Sequence, residues 1–326
     1  MNDLFTPDDR VKINAAMASG SGDRFGQLLS EHPNPSGGMT WGCRLGGIVV
    51  AVFVGGILAA ILGLVGLAAL VVLIVVAILL SGRIARWFHR RSLTRRAREE
   101  VVGGWAAQRG WQFVKQLPLA NTTPLLRHGD RRETGWGITG QLDATTSFAA
   151  GAYQYEEDRV VVSTDSDGNT TTRTETDTYP FTIALISAPL PDLKKVQLRK
   201  GSTGGIFSKL SGAVSDLRPV PLESAEFNDQ FRLMVADDAD EIAIRMRFTP
   251  SIIVAMLDRG AGESQAEAEN GVLLMARKGE AKTDDFGELL DILADAIWVR
   301  AVLTDDPPGR LPDVAALRTL LLGADA

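Results

Sequence analysis

The chain of 326 residues has 34 Lys and Arg against 40 Asp and Glu, which gives a net charge of −6, and 45% of its residues are hydrophobic. Seven arginines and no acidic residue lie between Arg83 and Arg98, which leaves 27 basic residues (34 minus these seven) against 40 acidic ones elsewhere. A nucleic-acid-binding protein would carry its positive charge on a folded face, so this distribution argues against that class.

Residues 1–43 predict a polar N-terminal segment that contains one short helix. Thr6 is placed as its N-cap, Pro7 as its first residue and Gly20 as its stop signal. A linker rich in Ser, Gly and Pro follows, up to about residue 42.

The next 38 residues, 45–82, contain no charged residue. A single helix of that length would exceed a hydrocarbon core that needs roughly 20 apolar residues, so the pattern favours a transmembrane hairpin over 44–82. Its two helices are predicted at about 46–63 and 66–82, with the turn between Gly63 and Gly66. Small residues recur at every fourth position of the first helix and predict close helix packing there: Ala51, Gly55, Ala59 and Gly63.

A single span, with the other half of the run buried against protein, is the alternative interpretation. Both interpretations place the arginines in the cytoplasm by the positive-inside rule. The hairpin returns the N-terminus to the same side, so it predicts a multi-pass protein of the cell (plasma) membrane with its folded domain and both termini cytoplasmic.

Residues 83–110 predict an Arg-rich helix that continues from the apolar run. Two interpretations remain open: the arginines only orient the helix ends, or they contact anionic lipid headgroups. The candidate lipid contacts are Arg83, Arg86, Arg90, Arg91, Arg95, Arg96 and Arg98.

From Trp111 the pattern changes to alternating and β-branched residues, which predict about seven strands within an α+β domain over 111–303. The segment "DSDGN" between the third and fourth strands predicts a hairpin turn. The order of strands before a helix near 285–303 is compatible with a rolled sheet of the pleckstrin-homology type. Residues 304–326 predict a linker and a short terminal helix.

The fourth strand has no apolar face at its start. Five threonines alternate with Thr171, Arg173, Glu175 and Asp177, so this end of the hairpin is expected to project into water as a ribbon. Two interpretations stay open, a solvated extension or a contact for a partner, and the candidate contact residues are Thr170, Thr172, Thr174, Thr176 and Thr178.

Two later segments predict irregular structure. The glycine-rich residues 201–212 lack the spacing of a phosphate-binding loop and predict a mobile loop. The stretch "AGESQAEAEN" predicts a polar linker that leads through Asn270 and Gly271 into the strand "VLLMARK".

The sequence offers no constellation of catalytic residues. His32, His89 and His128 lack a second ligand at helical or hairpin spacing, so we expect no metal. The only cysteine, Cys43, excludes an internal disulfide and a thiolate metal cage. No nucleophile has an identifiable base, and no cofactor is expected.

Four segments together resemble a group of uncharacterised bacterial, mainly actinobacterial, membrane proteins that carry a domain of unknown function. The segments are "GWQF", "YPFTIALISAPLPDL", "EFNDQFRLMVADD" and "FTPSIIVAMLD". The resemblance implies a membrane-tethered cytoplasmic α+β domain and brings no catalytic residues.

These patterns predict an α+β membrane protein with a two-helix transmembrane hairpin, an Arg-rich cytoplasmic helix and an antiparallel β-sheet domain with helices. The leading hypothesis for its function is a membrane-anchored, non-enzymatic interaction or scaffold protein, with membrane lipids and a protein partner or a homo-oligomer as partners. The alternatives are a lipid- or small-ligand-sensing domain that uses the arginines and the 201–212 loop, and an enzyme whose site the sequence does not reveal.

Overall fold

The structure is a computed structural model. It describes residues 5–34, 45–46, 48–50, 52–53, 57, 64–164, 170–188, 195–200, 217–258, 264–304, 309 and 311–322. The predicted loop at 201–212 and the small-residue stripe of Ala51, Gly55, Ala59 and Gly63 lie outside these residues.

The structure defines the bounds of nine strands and eight helices, and the described residues between 45 and 57 are also helical. The strands are β1 Gln112–Val114, β2 Arg131–Gln141, β3 Ser147–Thr164, β4 Thr170–Ser187, β5 Lys195–Lys200, β6 Leu217–Pro219, β7 Phe231–Ala236, β8 Ser264–Glu269 and β9 Val272–Lys278. The helices are α1 Pro7–Glu31, α2 Leu64–Ala107, α3 Pro124–Arg127, α4 Ala225–Gln230, α5 Glu241–Arg247, α6 Pro250–Asp258, α7 Phe286–Thr304 and α8 Val314–Leu322.

All nine strands join one antiparallel sheet in the order β1-β2-β3-β4-β9-β8-β5-β7-β6. The α+β class therefore holds, but the rolled sheet of about seven strands is wrong. One missed strand is β8, which the sequence suggested to be part of a polar linker and which is buried at all six positions. Asn270 and Gly271, both with positive φ, form the two-residue turn that pairs β8 with β9.

The two faces of the sheet are covered differently. Helix α7 covers one face, where Trp298 and Val302 line a small apolar cavity together with Val196, Ala268 and Leu273 of the sheet. The other face is covered by residues 115–130, which we call the strap. Its buried leucines pack on the aromatic and aliphatic residues of β3, β4 and β9; this cluster comprises Leu117, Leu125, Leu126, Tyr153, Tyr155, Phe181, Ile183, Leu274 and Ala276.

The strap approaches the sheet closely because two glycines lie beneath it. Gly137 of β2 and Gly151 of β3 are paired across the strands. A Cβ on Gly151 would lie 2.8 Å from Leu117 Cδ1, and one on Gly137 would lie 2.6 Å from Leu117 Cδ2. The side chain of Leu117 therefore occupies the space that two side chains would otherwise fill.

The chain divides into two compact units, residues 16–101 and the remainder, and the division falls within both α1 and α2. In the 16–101 unit, Leu28 packs with Leu93 and Ala97. The expected stop at Gly20 is wrong, since α1 continues to Glu31. A Cβ at Gly20 would lie 3.3 Å from Val101 Cγ1. Gly20 therefore lies in the interior of α1, where α1 packs closely on α2.

The predicted membrane anchor is wrong. Within the part of the chain that the structure describes, no helix combines the length and the hydrophobicity needed to cross a membrane. This finding overturns the transmembrane hairpin, the membrane class of the fold and the multi-pass location with its topology.

Candidate functional site

Strands β3 and β4 continue as a pair beyond both of their neighbours. Strand β2 stops pairing with β3 at Glu156, and β9 stops pairing with β4 at Phe181. The two strands remain paired out to Thr164 and Thr170 in one unbroken register. We call residues 157–164 with 170–178 the ribbon, and it is the extension that the sequence predicted.

The ribbon has one face of threonine and valine side chains, on which Asp158 is charged, and an opposite face with several charged side chains. The five candidate threonines, Thr170, Thr172, Thr174, Thr176 and Thr178, are exposed and share a face with Val160 and Val162, which are 67% and 61% exposed. On the opposite face Arg159 donates to Glu175 Oε2 over 2.6 Å and also pairs with Asp177. The charged face is thus largely neutralised by its own ion pairs. The Val and Thr side chains of the other face remain exposed to solvent.

The outer edge of β4 is open along the ribbon. Gly279 N–H donates to Pro180 C=O over 2.9 Å, so the backbone groups of even-numbered β4 residues point away from β3. The register has no bulge between residues 170 and 187, so Thr170 to Thr178 present their N–H and C=O groups on that same side. No hydrogen bond among the described residues uses these groups.

The opposite edge of the ribbon, on β3, is partly closed at its base. Asp130 Oδ2 accepts the Asp158 N–H over 2.8 Å, and Arg131 donates to both Glu156 and Asp158. His128 Nε2 lies 2.6 Å from Glu157 Oε1. The longer accessible edge therefore belongs to β4.

The seven predicted arginines lie on α2 in the 16–101 unit, and all but the half-buried Arg98 are exposed. Arg95 and Arg96 pair with Glu99 and Glu100 one turn further on. Among the described residues, no ion pair involves Arg83, Arg86, Arg90 or Arg91.

Large apolar side chains are exposed between these arginines. Trp87 is 54% and Phe88 49% exposed, and Ile84 is exposed one turn earlier. The Arg91 guanidinium lies 5.3 Å from the centre of the Trp87 ring, which is within the range of a cation–π contact. This surface of α2 combines positive charge with aromatic side chains.

Sequence reasoning missed a buried polar cluster between β8 and the strap. Glu267, which is 1% exposed, accepts hydrogen bonds from the Leu125 N–H over 2.9 Å and from the amide groups of Gln197 and Gln265 over 3.1 and 2.6 Å. Burial raises the pKa of Glu267, opposed by the Leu125 N–H, by Arg199 and by Gln265. Both carboxyl oxygens are thus occupied, so the group fixes the strap and does not face solvent.

Further contacts hold the strap around the same point. The Tyr153 hydroxyl donates to Leu125 C=O over 3.2 Å, and burial raises the pKa of Tyr153 to about 12. Arg127 donates to Glu269 Oε2 over 2.7 Å, and Lys195 pairs with the other oxygen of Glu269. The alternation of Gln265, Glu267 and Glu269 with alanines was the available sequence signal, since it is a strand pattern with a polar face.

Within the described ranges, no group of three His, Cys, Asp or Glu side chains is arranged to hold a metal ion. The ribbon edge and the Arg-rich surface of α2 both present accessible, chemically specific groups.

Comparison of the chain with family models, with curated proteins and with solved structures gives no match. The resemblance to bacterial membrane proteins with a domain of unknown function stays a prediction, and the function has to be argued from the geometry of the chain.

Proposed function

We propose that this chain is a non-enzymatic interaction protein that binds a protein partner along the outer edge of β4. The observation that carries the proposal is the open row of backbone groups from Thr170 to Thr178. An exposed sheet edge binds an extended chain by adding a strand, with backbone hydrogen bonds for affinity and alternating side chains for specificity.

The ribbon is held in a strand conformation before any partner arrives. A two-stranded hairpin alone is marginally stable in water, but cross-strand ion pairs support this one. Arg159 pairs with Glu175, and the Thr176 hydroxyl donates to Asp158 over 2.6 Å. Binding to a preformed edge loses less conformational entropy than binding to a disordered segment.

Site-specific photocrosslinking in the full-length chain tests this proposal. A photoreactive amino acid at Thr172, on the open edge, should give a discrete adduct in cells that produce the chain. The matched control is the same amino acid at Ile242, which is 70% exposed on α5 outside the ribbon. Equal adducts at both positions, or none at Thr172, would contradict the proposal.

A second candidate function is recognition of anionic lipid headgroups by the surface of α2. The observation that favours it is the exposed Trp87 and Phe88 among arginines that make no described ion pair. Guanidinium groups bind phosphate oxygens in bidentate fashion, and aromatic side chains are common at lipid interfaces.

Co-sedimentation of the full-length chain with lipid vesicles tests this second candidate. Binding to vesicles with anionic lipid should weaken in Arg86→Ser/Arg90→Ser/Arg91→Ser. It should change less in Arg95→Ser/Arg96→Ser, because those two arginines already pair with Glu99 and Glu100. Equal binding to vesicles of zwitterionic lipid alone would contradict a headgroup-specific role.

A further inference from the structure

The order of charges along the open edge of β4 identifies a partner. Arg173 and Glu175 flank Thr174 on the charged face of the ribbon, where they pair with each other within the chain, and Asp177 follows two residues later. When two identical strands pair antiparallel about a twofold axis, residues equally far on either side of the axis lie opposite each other. The position of the axis therefore decides which charges meet.

One axis position satisfies the charges better than its neighbours. An axis through residue 173, 175 or 177 places two like charges directly opposite each other, and an axis through Thr176 places Glu175 opposite Asp177. An axis through Thr174 places Arg173 of each copy opposite Glu175 of the other. Opposite charges across a strand pair stabilise it, and like charges destabilise it.

We propose that the edge binds a second copy of this chain, with the two β4 strands antiparallel and Thr174 opposite Thr174; the inference rests on the proposed interaction function and names its partner. In this register Thr172 lies opposite Thr176, and Thr170 lies opposite Thr178. All five threonines then use their outward N–H and C=O groups, because these even-numbered residues are the ones that face the open edge. The nine-stranded sheets of the two copies are joined through the ribbons.

The side chains of the same face fit this pairing. The threonines bring no charge to the paired edge, and Asp158, which shares their face with Val160 and Val162, already pairs with Arg131 of the same chain. An unrelated extended chain would need the complementary order of an acid and a base at alternate positions. A second copy has that order by symmetry.

Disulfide trapping in the full-length chain tests the register. Cys43 is the only cysteine, so Cys43→Ser gives a background without thiols. In the proposed pairing two Thr174→Cys residues face each other with Cα atoms about 5.5 Å apart, which suits a disulfide. Two Thr170→Cys residues are eight strand positions apart, about 27 Å. We expect oxidised dimers for Thr174→Cys and none for Thr170→Cys; equal yields of the two would overturn the register.

Charge reversal tests the self-association itself by sedimentation velocity. Arg173→Glu alone, or Glu175→Arg alone, places like charges opposite each other at two points between the paired β4 strands. Each substitution should therefore weaken dimerisation about tenfold or more. A mixture of the two variants restores both opposite-charge pairs between the chains and should dimerise more strongly than either variant alone, although each variant loses the pair of Arg173 with Glu175 within its own ribbon. Asp177→Asn is the control, because Asp177 lies opposite Thr171 and its loss should leave dimerisation unchanged.

The outcomes separate this inference from the proposed function. A wild-type chain that stays monomeric, or a mixture that does not regain dimers, would overturn the self-association. If the Thr172 photoadduct then has the mass of the chain plus a different protein, the interaction function stands with another partner. An adduct of twice the chain mass supports both.

Discussion

Glu267 and Leu125 are joined by a hydrogen bond across 142 residues of sequence, from the Leu125 N–H to Glu267 Oε2 over 2.9 Å. Helix α3 begins after Thr123, whose side chain makes no capping hydrogen bond. The Glu267 carboxyl, from the sheet beneath, supplies the acceptor that a capping residue normally provides. The strap is therefore held to the sheet by a buried acid.

Two replacements of Glu267 distinguish the loss of all its hydrogen bonds from the loss of its charge alone. Glu267→Ala leaves three donors without an acceptor, and we expect a loss of about 3 kcal/mol in the free energy of unfolding. Glu267→Gln keeps a carbonyl for Leu125, and Gln265 can turn its amide to accept from the new one, because its Oε1 has no hydrogen-bond partner among the described residues. We expect a loss of about 1 kcal/mol for Glu267→Gln. Urea denaturation of the two variants measures both values, and equal losses would contradict this account.

The raised pKa of Glu267 also predicts a dependence of stability on pH. Burial raises its pKa in the folded state, so above the ordinary Glu value of about 4.3 the unfolded chain releases its proton first. The contribution of this group is complete below that value and is lost as the pH rises through the folded pKa. Unfolding titrations at several pH values should show the difference between wild type and Glu267→Gln falling as the pH increases. A constant difference from pH 4 to 8 would show that Glu267 does not titrate with folding.

Local patterns predicted much of the ribbon and little of what surrounds it. Alternation placed the five threonines on one face, but the open edge depends on where β9 stops, at Lys278 opposite Phe181. The strand order that brings β9 beside β4 is not a local property of either segment. A hairpin pattern therefore reveals the faces of a ribbon but not the accessible edge.

The buried polar cluster could not be read from composition. Gln265, Glu267 and Glu269 resemble a solvated linker because polar residues are rarely buried without partners. Their partners lie far away in the sequence, on the strap and on β5.

Asp9 and Arg318 form a second long-range pair whose loss should be measurable. Arg318 donates through both Nη atoms to the Asp9 carboxylate, each over 2.6 Å, and Asp9 also accepts the Thr6 N–H at the start of α1. Arg318→Met should reduce the free energy of unfolding by about 1 to 2 kcal/mol at neutral pH. The control is Arg245→Met, because Arg245 forms an exposed pair with Glu241 one turn away, and we expect about 0.5 kcal/mol or less there.

The same pair predicts an acid-dependent effect of the opposite sign to that of Glu267. The hydrogen bonds from Arg318, and then those involving Thr6, lower the pKa of Asp9. The resulting stability is present above the ordinary Asp pKa of about 3.9 and is lost as the pH falls toward the folded value. The difference between wild type and Arg318→Met should therefore shrink in acid, and a difference that grows below pH 4 would refute the role of this pair.

Replacement of glycine by alanine should have opposite effects at Gly151, which lies beneath Leu117, and at Gly104 on α2. A Cβ on Gly151 would lie 2.3 Å from Trp136 O and 2.6 Å from the Gly137 Cα. Because these are backbone atoms, they cannot move aside as a flexible side chain would. Gly151→Ala should therefore lower the free energy of unfolding by about 3 kcal/mol.

Gly104 provides the matched control within α2, since a Cβ there would meet no atom within 4 Å. Alanine is the better helix former by about 1 kcal/mol, so Gly104→Ala should raise the free energy of unfolding. Thermal and urea unfolding of the two variants measure the contrast. If Gly151→Ala unfolds like the wild type, β2 and the strap do not approach Gly151 as closely as Trp136 O and Leu117 indicate, because a methyl group at that position has no other space to occupy.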